Sequence, residues 1–444
     1  MHTLTDYLAR SVIAYQQATI PDDVRLIARS SILDWLGVAI AGADSESVKA
    51  LHETLPTGAP SGGTVIGGLS LAHPVVAARL NGTAGHALDF DDVISPFGHP
   101  TAPVLPAALS LAESHILTGA DLLRAFVAGV ETECRVGEAA GPKHYERGFH
   151  STATNGIFGA TAAAAALIGL DERQTAHALG LASTSASGLK SAFGTWGKPL
   201  QVGHAASEGL LAALLAGEGG DSPAGSLECP QGYLETHTPE PGPKAGILPP
   251  GDPWAIRGML FKYHASCYGT HSSIETLLRL RTEADGVDVD RFELGICPRH
   301  VGMCDQVNVR TPLAAKFSLG FTAALAWSKG RVGIEEFGEQ MIADEDLQQL
   351  ASKVKLFPSP ERDFSSTEVT VRLADGRSLA GAVDTSIPAS GDGLEEQWER
   401  LVDKFEALST QHIGTANVSH VIELVGNLEQ LTDIRDLTAA VAAR

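Results

Sequence analysis

STATNGIFGATAAAAALIGL, residues 151–170, constrains the fold more than any other stretch of this chain. It has helical composition and few side chains larger than a methyl group. A helix so smooth gains little from water exposure and fits where neighbouring helices approach closely. The segments around it share the character. Residues 3–17 and 21–42 read as amphipathic helices; in the second, Val24, Leu26, Ile27, Ile32, Leu33, Leu36 and Val38 recur at helical spacing after Pro21-Asp22. Further helical patterns cover 72–93 (stopped near Pro96), 105–119 (closed by Gly119) and 121–141, with Asp121 as a candidate N-cap. Up to about residue 220 there is no βαβ alternation and no phosphate-loop signature.

The pattern then changes. Residues 222–254 are rich in Pro and Gly and read as a long connection. Beyond it, FELGICPRHV and STEVTVRLADGRSLAGAV alternate like strands, ADGR reads as a hairpin turn, and SSIETLLRLR and AAKFSLGFTAALAWS interleave as helices. The tail, from GLEEQWERLVDKFEALST onward, is helical again. The expected fold is mainly α: a large all-helical domain from 1–257 and 391–444, with a smaller α+β domain, 258–390, inserted before the C-terminal helices. The 444 residues suit two domains.

The formal charge of −21 argues against nucleic acid or an anionic membrane as partner, while leaving room for a small anion held by a few local cations. Five cysteines without a CxxC pair fit reduced thiols in a cytoplasm better than a disulfide framework or zinc site. The N-terminus does not read as a signal peptide, and no run of eighteen apolar residues is present.

Against this apolar background four stretches carry chemistry. HALDFDDVISPFGHP (86–100) sets His86, Asp89 and Asp92 at i, i+3, i+6, on one face if the helix continues, and then presents His99. A catalytic carboxylate beside an imidazole is one reading and helix-end capping the other; Asp91 taken alone reads as structural or surface. KHYERGFHSTATNG (143–156) offers His144, Tyr145 and His150, the last before a helix N-terminus that favours an anion. GTWGKPLQVGH (194–204) fixes Lys198 in a tight turn just ahead of a helix, an unusual place for a surface lysine. FKYHASCYGTH (261–271) holds Lys262, His264, Cys267 and His271 without zinc spacing; a small buried cysteine is the commoner reading of Cys267. Together they suit proton transfer beside a carboxylate. An acidic magnesium motif at DFDDV is disfavoured because it occurs once and is followed by GHP.

These stretches, in this order with the later LAAKFSLGF, resemble the MmgE/PrpD family nearly end to end. Its members include 2-methylcitrate dehydratase, cis-aconitate decarboxylase and iminodisuccinate epimerase. The resemblance implies an all-helical domain, an α+β lid, a cleft, a homodimer, and no metal or organic cofactor. By the same resemblance Asp89, His99, His150 and Lys198 match active-site positions and Lys262 a lysine at the lid edge. Tyr145 falls where the epimerase branch has a tyrosine near substrate; Cys267 and His86 are further substrate-binding candidates. Asp89 is expected to orient the His99 imidazole, and Lys198 and His150 to bind a carboxylate or supply acid. The implied reaction removes a proton alpha to a carboxylate of a small di- or tricarboxylic acid. A hydro-lyase of the 2-methylcitrate dehydratase kind comes first, then an iminodisuccinate-type epimerase. A cis-aconitate-type decarboxylase ranks lower, because Cys267 stands where the animal decarboxylase has histidine. A non-catalytic role is disfavoured by the retained Asp, His and Lys set.

Overall fold

The computed structural model describes residues 3–68, 70–240 and 253–442. It divides into two compact units, one taking the chain up to Phe261 and again from Ala389, the other running Lys262–Pro388. The first is built of helices, the second of helices on one small sheet, so the protein is mainly α with a smaller α+β region. No single helix among the described residues is long and apolar enough to cross a membrane.

Small residues decide how the helical unit packs. The helices Pro74–Ala87 and Gly197–Gly217 cross where Gly82 faces Gly203: a Cβ on Gly82 would lie 3.1 Å from the Gly203 Cα, and one on Gly203 would lie 2.1 Å from the Thr83 hydroxyl and 2.4 Å from the Arg79 carbonyl oxygen. The alanine-rich segment behaves as its composition predicts, with Gly156–Ala166 buried throughout. It is two helices, Ser151–Thr154 and Gly156–Leu167, instead of one. The C-terminal helical run Gly393–Gly426, broken at Gly414, lies along Asp22–Gly42. There a buried ion pair joins Lys404 to Asp34 at 2.5 Å, and the same ammonium donates to the Phe90 carbonyl at 2.7 Å. The C-terminal segment thereby anchors the residue just before Asp91.

Several boundaries differ from the sequence pattern, each for a local reason. The helix expected over 72–93 ends at Ala87, because Asp89 takes φ 51°, a left-handed conformation that aspartate tolerates better than most residues. His86, Asp89 and Asp92 therefore do not share a helix face. Gly119 opens a helix where closure of the previous one was expected; Thr118 is the N-cap of Gly119–Ala140, and Asp121 is its partner in a capping box. The Pro/Gly-rich connection is partly core: Leu227 and Tyr233 are buried, and the Tyr233 hydroxyl donates to the Asn155 side-chain oxygen at 2.9 Å. Residues 241–252 of that connection lie outside the described residues.

In the second unit the strands follow the order Val354–Pro358, Val289–Ile296, Ser366–Leu373, Ser378–Asp384; the first pair is parallel and the others antiparallel. Thr367, Val369, Val371 and Leu373 face inward, the period-two pattern read from the sequence, and ADGR is the hairpin turn. The helix His271–Glu283 packs on this sheet, its Ser272 hydroxyl accepting from the Thr367 amide and donating to the Val383 carbonyl.

The Gly82–Gly203 crossing is testable. Gly203→Ala forces a methyl against the Arg79 backbone carbonyl, which no rotamer change relieves, and is expected to cost ~1–3 kcal/mol in urea unfolding. An unchanged midpoint would mean that these helices do not approach this closely.

Candidate active site

Within the helical unit, four backbone features bring the candidate side chains together. The helix ending at Ala87 places His86 in its last turn. The left-handed turn at Asp89 then reverses the chain, and Val93 pairs with Leu260 through two backbone hydrogen bonds of 2.8 Å. A tight loop, Ile94–Gly98, carries the chain back to His99. Gly98, at φ 122°, is required there, since a Cβ would lie 2.8–2.9 Å from the Thr152 hydroxyl and amide. The His99 amide donates to the Thr152 hydroxyl at 3.2 Å. Finally, Phe149–His150 runs antiparallel to Gly188–Leu189, with the His150 amide donating to the Gly188 carbonyl at 3.0 Å.

Asp91 is the hub. It is 0% exposed, and its Oδ2 lies 2.8 Å from His86 Nδ1 and 3.3 Å from His99 Nδ1. Burial would raise its pKa, but the two imidazoles outweigh that and hold the carboxyl well below the usual range. Taken from the pattern alone it reads as structural or surface; in the fold its carboxylate lies 2.8 and 3.3 Å from two imidazole nitrogens. The apolar neighbours Phe90 and Val93 were the available sign that this stretch turns inward. Asp92 faces elsewhere. It accepts from the Thr101 hydroxyl, and burial together with Asp34 and Asp91 pushes its pKa well up.

Asp89 is partly exposed and pairs with Lys198 at 2.7 Å; its oxygen is 4.0 Å from His99 Nε2. The expectation that Asp89 orients the His99 ring is corrected on distance, because Asp91 is the nearer carboxylate. Lys198 lies inside the first turn of its helix instead of ahead of it. Its ammonium is 5.6 Å from the centre of the Phe193 ring.

His150 occupies the N-cap position of Ser151–Thr154, but its side chain makes no cap bond. Its Nδ1 meets the Gln201 side-chain nitrogen at 2.6 Å, and its ring stacks at 5.7 Å from His86. Burial, then the electropositive neighbours His86 and Lys198, push its pKa down to about 2; burial brings His86 to about 4. Gln201, one helical turn after Lys198 and so on the same face, was the residue that the sequence reading missed.

Tyr145 is 43% exposed and lies beneath the Lys190 ammonium, 3.7 Å from the ring centre. Burial and the Asp89 charge raise its pKa, keeping the hydroxyl protonated. His144 belongs to the packing: it stacks on Phe149 and meets the Thr154 hydroxyl at 2.7 Å. Lys262 and Cys267 lie in the second unit. Cys267 Sγ is 3.4 Å from Cys304 Sγ, and all five cysteines are free thiols. His264 bonds Glu275 at 3.0 Å, and His271 is buried edge-on against it.

Ligand atoms of His86, Asp91 and His99 lie within 4.8 Å of one another, a spacing compatible with a metal ion. Without an ion, Asp91 Oδ2 is hydrogen-bonded to His86 Nδ1 at 2.8 Å and has His99 Nδ1 at 3.3 Å.

Carboxylates, imidazoles and an ammonium gathered at one place in a helical core are groups able to carry acid–base chemistry. Comparison with known proteins agrees on the kind of protein. The MmgE/PrpD N-terminal domain matches residues 6–245 and the MmgE/PrpD C-terminal domain residues 264–430. The chain belongs to the MmgE/PrpD family of enzymes. It is 26% identical to human cis-aconitate decarboxylase over 99% of this chain and 94% of that protein. It is 27% identical to the cis-aconitate decarboxylase-like protein oryM of Aspergillus oryzae, over 99% and 97%. It is 28% identical to the Aspergillus terreus cis-aconitate decarboxylase, over 94% and 91%.

The buried histidines predict acid lability. His144 titrates at an ordinary 6.5 when unfolded and near 4 when folded, because burial disfavours its cation. Below about pH 6.5 the unfolded chain binds the extra proton, so stability is lost as pH falls towards about 4. Between about pH 7 and about pH 5 this residue is expected to remove about 2 kcal/mol. Denaturant titrations should show a shallower decline in His144→Gln; an identical decline would exclude this histidine as a source.

Proposed function

We propose that this enzyme removes a proton alpha to a carboxylate of a small di- or tricarboxylic acid and expels hydroxide, as a hydro-lyase resembling 2-methylcitrate dehydratase. The observation that carries the reading is Asp91 held between His86 and His99, beside the Lys198–Asp89 ion pair.

His99, with Nδ1 3.3 Å from Asp91, presents Nε2 as a base on the more accessible side of the cluster, and the Asp91 charge stabilises the imidazolium that forms. Lys198 binds the substrate carboxylate and, with His150, holds the negative charge that develops when the carbon loses its proton. Tyr145, kept protonated, supplies the proton to the departing hydroxyl. Elimination then leaves an alkene and water. In this reading protein groups alone carry the chemistry, without metal or organic cofactor.

A second reading, decarboxylation, is favoured by the names of the three relatives. The same Lys198 ammonium and His150 donor would stabilise the electron pair left behind by departing carbon dioxide, and His99 or Tyr145 would return a proton to that carbon.

Product analysis, chelation and two variants test the proposal. Proton NMR in deuterated water with 2-methylcitrate, citrate, cis-aconitate, iminodisuccinate, malate and tartrate should show loss of one alpha proton. An alkene product denotes dehydration, carbon dioxide release decarboxylation, and an inverted centre epimerisation. Activity should survive chelation; loss restored by zinc would sink the metal-free reading and favour the His86, Asp91, His99 set as ligands. His99→Ala should lower kcat ~10²–10⁴-fold without unfolding. Asp91→Asn, which sets an amide N–H against one of the two imidazoles, should lower kcat ~10³-fold. Full activity in either variant would remove that residue from the chemistry.

A further inference from the structure

We propose that Gln201 is a positioning residue that holds His150 in its neutral Nε2–H tautomer, so that His150 meets an anionic substrate oxygen as a hydrogen-bond donor and never as the base. The substrate half of this statement rests on the function proposed above; the tautomer does not.

The argument begins with Leu189. Its backbone N–H can only donate, and it donates to Gln201 Oε1 at 2.9 Å. Its carbonyl can only accept, and it lies 3.3 Å from Gln201 Nε2. The orientation of the Gln201 amide is therefore dictated by the backbone it pairs with, and exchanging its oxygen and nitrogen would break both contacts. That leaves the Gln201 NH₂ as the group 2.6 Å from His150 Nδ1. A donor faces Nδ1, so Nδ1 carries a lone pair and the single proton of the neutral ring is on Nε2.

The frame around this contact is closed by backbone bonds. His150 donates its amide to Gly188, Lys190 donates its amide to Gly148, and Phe149 bridges Leu189. Protonating the ring would set an Nδ1–H against the Gln201 NH₂. The burial that pushes the His150 pKa down acts in the same direction. A neutral imidazole locked this way is a donor of fixed direction beside Lys198, which suits charge that develops during reaction. His86 differs, since it offers Nδ1 to Asp91 at 2.8 Å and keeps Nε2 as acceptor. The site thus holds imidazoles of opposite polarity, set by a carboxylate in one case and an amide in the other.

The test is nitrogen NMR of protein labelled with ¹⁵N-histidine, the His150 signals being assigned by their absence in His150→Gln. The wild-type ring is expected to show a bare Nδ1, a protonated Nε2 and no titration from about pH 5 to about pH 8. Gln201→Glu places an acceptor at Nδ1, and should flip the tautomer and bring titration into that window. Its kcat should fall ~10²-fold with a smaller change in KM. A wild-type ring that carries Nδ1–H, or a Gln201→Glu ring with unchanged tautomer, overturns the proposal. The wild-type spectrum needs no variant to fold. If the expected tautomer is found and no acid of the panel reacts, the role of Gln201 in setting the ring stands and the proposed reaction fails.

Discussion

A carboxylate with no exposure to water is costly unless positive or donor groups face it, and Asp91 Oδ2 lies 2.8 Å from His86 Nδ1 and 3.3 Å from His99 Nδ1. Much of the local structure follows from that requirement. His86 has to end its helix facing inward, the chain has to reverse at Asp89 so that Asp91 points back at His86, and His99 has to return across the Gly98 turn. The Lys404 ammonium, bonded to the Phe90 carbonyl, pins this reversal from the far end of the sequence. A buried ionised group of this kind is costly to leave unpaired, so the cluster holds together or fails together.

The helices that carry these residues come close only because their contact surfaces are small. Gly82 against Gly203 brings the helix ending near His86 beside the helix beginning near Lys198 and Gln201. The clustering of these polar side chains is therefore linked directly to the small residues at this crossing.

Two buried carboxylates next to one another in sequence are pushed in opposite directions. The facing imidazoles hold the Asp91 pKa down; burial, Asp34 and Asp91 all push the Asp92 pKa up. The pair shows why residue type and spacing did not suffice to assign roles within DFDD. Asp89, the partly exposed member, has the lysine, and its left-handed backbone takes it out of the helix face that the i, i+3 pattern suggested.

The sequence by itself determined the helical character, the change to alternating strands after residue 258, the hairpin at ADGR, and the family through motifs that keep their order. These are properties of local periodicity and of residues near one another in the chain. It also named His86, Asp89, His99, His150 and Lys198, because polar groups in an apolar pattern are conspicuous. What only the tertiary structure decided is which group faces which. Asp91 rather than Asp89 reaches the His99 Nδ1, Gln201 and not a helix end governs His150, and part of the Pro/Gly-rich stretch is core. Those outcomes turn on one backbone torsion at Asp89 and on contacts between residues some fifty positions apart, such as His150 and Gln201. A linear pattern does not encode them, because the partner that satisfies a buried polar atom is chosen by packing.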